Sequence, residues 1–152
     1  GRARRAAQRR RLEGADAVGL SAMRGSRTAV VFVGGALGTS IRAALEAAFP
    51  AQPGGWPWAT FLINVSGAFL LGLLLETLSR RGPDVGARRL VRLGLGTGVM
   101  GGYTTYSTFT LETVRLIGSG AMLAVIGYAL GSVLIGLAAA LAGSRLAIRL
   151  SQ

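Results

Sequence analysis

Gly101-Gly102-Tyr103-Thr104-Thr105-Tyr106-Ser107-Thr108-Phe109 interrupts a stretch that otherwise reads as a membrane-spanning helix. From Leu93 to Leu111 no residue is charged, so the segment can enter lipid. Its middle carries a glycine pair, which weakens a helix, and then a run of hydroxyls and aromatics. Lipid leaves an unsatisfied backbone group uncompensated, so a break at membrane depth survives only where protein or a solvated cavity covers it. Such a break frees carbonyls and amides to meet ions. The stretch therefore predicts a membrane protein that handles ions.

Working outward, the chain of 152 residues is 51% hydrophobic, with a mean hydropathy of +0.50 and a formal charge of +11. That is too apolar for a soluble domain of this size and too short for more than one membrane unit. Four segments approach the roughly 20 apolar residues that a spanning helix needs. They run over about Thr28–Phe49, Trp58–Ser79, Leu90–Ile117 and Gly120–Gly143, and the third contains the break. Between them lie a Pro- and Gly-rich connection (Pro50–Pro57), an Arg-rich one (Arg80–Arg89) and a short turn at Gly118-Ser119-Gly120. The expected fold is an all-α membrane protein of four transmembrane helices with a break in the third.

The chain has neither Cys nor His, which excludes thiol redox chemistry, disulfides, the usual zinc ligands and serine–histidine catalysis. All 17 basic residues are Arg, and most flank apolar segments, the placement of orienting charge rather than of a nucleic-acid surface. With four spans, both termini and the Arg80–Arg89 loop share one side. That side carries fifteen arginines, whereas only Arg115 lies near the other, with Arg42 embedded. The bias places both termini in the cytoplasm. Residues 1–27 form an Arg-rich tail with no apolar run, expected to be without fold, with a natural start expected at Met23. Residues 28–145 are the membrane unit, and 146–152 a short C-terminal tail.

Asn64 is a full amide inside an apolar run and needs a partner, either across a helix interface or facing a pore, where its NH2 would serve an anion. Tyr128, Ser132 and Gly136 share one face of the last span, as a track of hydroxyls or as interhelical bonds. Gly127 and Gly131 form a small-xxx-small pair that favours close helix packing. Arg42 either snorkels to the headgroups or concentrates anions at a pore mouth; Glu46, one turn on, would weaken the second role. Gly96-Thr97-Gly98-Val99-Met100-Gly101 matches a dinucleotide fingerprint but has no strand before it, so Gly94, Gly96 and Gly98 are read as helix-packing residues. Tyr106 and Phe109 present positive ring edges to one passage or two neighbouring ones, and Ser107 and Thr108 add hydroxyl donors. The lining suits a small anion better than a cation.

GGALGTSIR (34–42), TFLINVSGAFLLG (60–72) and GGYTTYSTFTLE (101–112) occur in the order found in the Fluc (CrcB) fluoride channels, and the resemblance covers essentially all of residues 28–143. The resemblance implies a four-helix subunit of an antiparallel dimer with two fluoride pathways in a bacterial plasma membrane. It implies a sodium ion at the dimer centre, held by backbone carbonyls at positions matching Gly101 and Thr104. Asn64, Tyr106, Ser107, Thr108, Phe109, Tyr128 and Ser132 match pore or near-pore positions. Arg42 and Glu112 match a first-helix arginine and the acidic residue after the second aromatic. The implied function is passive export of fluoride, without catalysis.

Tyr106 departs from the pattern, which usually has Phe there, and Gly136 removes a donor from the fourth-span track. Family homodimers need each chain to insert both ways. Even from Met23, nine arginines stand against one, which predicts a fixed orientation and an oppositely oriented, related partner. The rivals are a non-conducting partner or scaffold subunit and a small four-helix multidrug transporter. The latter needs a carboxylate deep in a helix, and Glu46, Glu76 and Glu112 are all read near helix ends or breaks.

Overall fold

The computed structural model describes the backbone of residues 2–152 and the side chains of residues 25–152. The expected Arg-rich tail of 1–27, with Met23, lies almost wholly outside the described side chains. Six α-helices and one π-helical segment follow in order: α1 (Arg2–Ala48), α2 (Trp58–Arg80), α3 (Gly86–Val91), the π-helical Arg92–Met100, α4 (Gly101–Tyr103), α5 (Ser107–Gly118) and α6 (Met122–Leu150). Among the described residues there is no strand.

Among the described residues three helices are long and apolar enough to cross a membrane: Gly25–Ala48 within α1, all of α2, and α6. Their outer faces carry large apolar side chains, Phe32 and Leu123 among them, where a water-soluble protein would place charge. Lipid is the solvent such a surface requires. The protein is a multi-pass membrane protein.

The expected span of Leu90–Ile117 is not one helix. It is divided among α3, the π-helical segment, α4, an extended step at Thr104 (φ −75°, ψ 155°) and α5. The glycine pair is not the break itself, since Gly101 and Gly102 are helical and the chain leaves the helix only after Tyr103. Gly102 serves closeness instead, because a Cβ there would collide with the Gly35 carbonyl of α1.

The same logic joins α1 to the π-helical segment. A Cβ on Gly34 would strike the Gly94 carbonyl, one on Gly38 the Val99 carbonyl, and one on Gly98 would lie 3.0 Å from Gly34 Cα. Gly94 and Gly98 thus pack helices as expected. Gly96 makes only ordinary contacts with leucines of α2. The second close crossing, α2 on α6, uses Gly72 against the Ala140 carbonyl and Gly143 against the Phe69 carbonyl. Without a hydrophobic force between helices in lipid, such backbone approach is what holds them together. Gly127 and Gly131 do not join helices. They make room for the ring of Trp56, which reaches in from the connection before α2.

The connections end where backbone geometry demands it. Gly82 (φ 110°) and Gly86 (φ 56°) bracket the α2–α3 turn, and Gly120 (φ 75°) turns α5 into α6. In the first turn Arg92 pairs with Asp84 at 2.8 Å, and this hydrogen-bonded guanidinium holds the Asp84 carboxyl below its ordinary pKa.

Candidate functional site

The break is built by one side chain from α2. Asn64 Nδ2 donates to the Thr105 carbonyl at 3.0 Å, and the Thr105 amide donates to Asn64 Oδ1 at 2.8 Å. Asn64 thereby completes a two-bond amide pair with the non-helical backbone step, which satisfies both at membrane depth. The pairing has a second effect. In an uninterrupted helix the Thr105 amide would bond the Gly101 carbonyl. Likewise the Thr108 amide, which a helix would give to the Thr104 carbonyl, goes to Thr105 Oγ1 at 3.1 Å. The carbonyls of Gly101 and Thr104 thus lose their helical donors. Two neutral oxygens released from one turn are donors of the kind a hard monovalent cation takes, so the residues fit a share of the expected sodium site.

Two neighbouring carbonyls are spoken for. Met100 accepts from the Thr104 amide at 3.0 Å and from Thr104 Oγ1 at 2.8 Å. Gly102 accepts from Arg42 Nε at 3.1 Å and Thr39 Oγ1 at 3.4 Å. Arg42 is therefore a brace between α1 and α4. It also lies 3.6 Å from Glu46, the pairing that its spacing anticipates.

On the other side of Asn64 lies a groove of about 300 Å³ lined by Asn64, Thr104, Thr105, Tyr106, Phe109, Ser132 and Val133. Of the expected pore residues it brings together Asn64, Tyr106, Phe109 and Ser132. Ser107 and Thr108 instead bond the Thr105 hydroxyl, at 3.2 and 3.1 Å, and stiffen the break from behind. Ser132 Oγ is buried and has no hydrogen-bond partner among the described residues. A buried hydroxyl left open toward a groove is a donor in wait. Tyr106 is 80% exposed, and its ring centroid lies 6.0 Å from that of Phe109.

Tyr128 does not share the groove. It is fully buried behind Phe109, with centroids 5.1 Å apart, and its ring meets Trp56 edge-on at 5.7 Å. Its hydroxyl donates to Glu112 Oε2 at 2.7 Å, while Thr60 Oγ1 donates to Glu112 Oε1 at 2.9 Å. Glu112, 8% exposed, is thus a buried carboxylate with a donor on each oxygen. Thr60 and Trp56 are the functional neighbours that sequence reading passes over. Thr60 stands at the head of the second-span motif with nothing local to distinguish it. Only α2 packing beside α5 and α6 brings it to Glu112.

The family model described as CrcB-like protein, Camphor Resistance (CrcB) matches residues 29–144. A Leifsonia xyli subsp. xyli protein named Fluoride-specific ion channel FluC 2 is 53% identical over 121 residues, covering 80% of this chain and 83% of its own. A Cutibacterium acnes protein named Fluoride-specific ion channel FluC 1 is 50% identical over 107 residues, covering 70% of this chain and 75% of its own. A Nocardia farcinica protein named Fluoride-specific ion channel FluC 2 is 40% identical over 114 residues. The family match spans every element that builds the break, the groove and the Glu112 site, and on that ground the chain belongs to the CrcB family.

Proposed function

We propose that this protein is a subunit of a channel that lets fluoride leave the cytoplasm down its own gradient and so relieves fluoride toxicity, conducting rather than catalysing. The observation that carries the reading is the groove at Asn64. It joins an amide NH2, the unpartnered Ser132 hydroxyl and the rings of Tyr106 and Phe109 in one place. Fluoride is small and tightly hydrated, and it enters a membrane only if donors replace its water. The names of the relatives at 40 to 53% identity support the same ion.

In this reading the chain crosses the membrane four times, with the divided segment from α3 to α5 as the third crossing. Both termini are cytoplasmic. Two subunits pair antiparallel, and the Gly101 and Thr104 carbonyls from each hold sodium at the centre. The cation would tie the broken segments together and offset the anions' repulsion from a low-dielectric interior. The protein reconstituted in liposomes should release fluoride rapidly, in a sodium-dependent manner and without regard to a proton gradient. Folded protein that stays silent, alone and with an oppositely oriented homologue, would sink the reading.

A second reading is favoured by Tyr106 and by the arginine asymmetry. The chain would pair only with a related subunit of opposite orientation, the pore beside its own Tyr106 being the weaker. Efflux that appears only on adding that partner distinguishes it.

A further inference from the structure

A second cavity of about 300 Å³ opens at the α5–α6 end, between the Pro- and Gly-rich connection and the last turns of α5. Its charged lining consists of Glu112 and Arg115, one helical turn apart. Spacing of that kind normally yields an ion pair. Here none forms, because the Glu112 oxygens are taken by Thr60 and Tyr128, and among the described residues Arg115 has no salt-bridge or hydrogen-bond partner. A guanidinium is charged at any relevant pH, so the cavity holds a cation with unused donors.

Position adds weight. Arg115 is the unpaired basic residue at this end among the described residues, since Arg42 of α1 is held by the Gly102 carbonyl and Glu46. The cavity reaches the Glu112 carboxylate, which bonds Tyr128; Tyr128 in turn packs on Phe109, a wall of the Asn64 groove. An anion that enters this cavity meets the Glu112 carboxylate on its wall. Left alone, that carboxylate would repel it. With Arg115 beside it, the cavity's formal charge is zero and the cation lies outermost.

We infer that Arg115 makes this cavity an anion-collecting antechamber, admitting small inorganic anions past Glu112 by balancing its charge. The inference rests on the conducting role proposed above. Arg115 acts on the rate of entry and not on selectivity, since a guanidinium attracts fluoride and chloride alike.

The chain contains no Cys, so Ser119→Cys puts a unique thiol on the cavity wall. Its modification by a sulfonate-bearing and an ammonium-bearing methanethiosulfonate reads the local potential. Arg115→Gln in that background should lower the sulfonate-to-ammonium rate ratio about fivefold, the effect of removing one charge several ångströms away at high dielectric. Arg115→Lys should restore the ratio, and the difference should collapse at about 1 M salt, where screening acts within about 3 Å. In liposomes at low ionic strength, Arg115→Gln should slow fluoride efflux several-fold. A ratio unmoved by Arg115→Gln at low salt would overturn the inference even if the wild-type chain conducts. A ratio that moves while the wild-type passes no fluoride would leave the antechamber standing and remove the conducting role.

Discussion

Replacing Asn64 by Ala strips the Thr105 backbone of both its partners, at 3.0 and 2.8 Å. The loss should cost about 2 kcal/mol, one net hydrogen bond at a time, and abolish fluoride efflux. Asn64→Asp keeps an acceptor for the Thr105 amide but sets a carboxylate against the Thr105 carbonyl and against any anion in the groove. It should therefore unfold at a temperature nearer wild type than Asn64→Ala and still pass no fluoride. Thermal unfolding in detergent, read beside liposome efflux, separates the two. Glu112 behaves differently because it serves two buried hydroxyls. Glu112→Ala should destabilise by about 2 to 4 kcal/mol, leaving Thr60 and Tyr128 without acceptors. Glu112→Gln retains one carbonyl oxygen and should lose no more than about half of that. Equal melting temperatures for the two variants would contradict the two-donor arrangement.

At the scale of elements, adjacent glycines should respond in opposite ways. Gly101 is helical, and a Cβ on it would meet nothing within 4 Å, whereas one on Gly102 would strike the α1 backbone at Gly35. Gly102→Ala should separate α1 from α4 and unfold the protein well below the wild-type temperature. Gly101→Ala should leave the subunit's own packing intact while weakening the sodium dependence, because the methyl points where the proposed partner would lie. Circular dichroism melts and sodium titrations of efflux decide between these outcomes. These two residues also mark how far the sequence could be read. A glycine pair followed by hydroxyls announces a disturbed helix, but whether the glycines form the break or the contact depends on α1, sixty residues away. Asn64 is legible as an amide that must find a partner, and its partner, the Thr105 backbone, is not. The Arg42–Glu46 pair lies within one helix and follows from spacing alone. Trp56 filling the space at Gly127 and Gly131 follows from no local pattern, and neither does the burial of Glu112. The connection before α2 laid on α6 produces the first, and α2 and α6 packed beside α5 produce the second.

For the molecule as a whole, the arginine asymmetry yields a prediction that needs no assay of function. A thiol introduced near the C-terminus should be shielded from a membrane-impermeant reagent in intact cells, in nearly all copies, and become reactive on lysis. Equal labelling before and after lysis would show dual insertion. Replacing external and internal sodium by a large organic cation should stop efflux while leaving the helices folded. The π-helical Arg92–Met100 sets the phase of all that follows it. Runs of such hydrogen bonding are rare and commonly confined to a single turn, yet this one occupies nine residues. Its glycines lock it against α1 on one flank, so it cannot rotate to absorb an error. Each residue of an α-helix is worth about 100° of azimuth, and somewhat less in the wider π turn. Deleting a single residue between 92 and 100 would swing the Thr105 amide about a quarter-turn away from α2. Residue number in this segment is thus a stored angle, and the chain tolerates substitution there far better than any change of length.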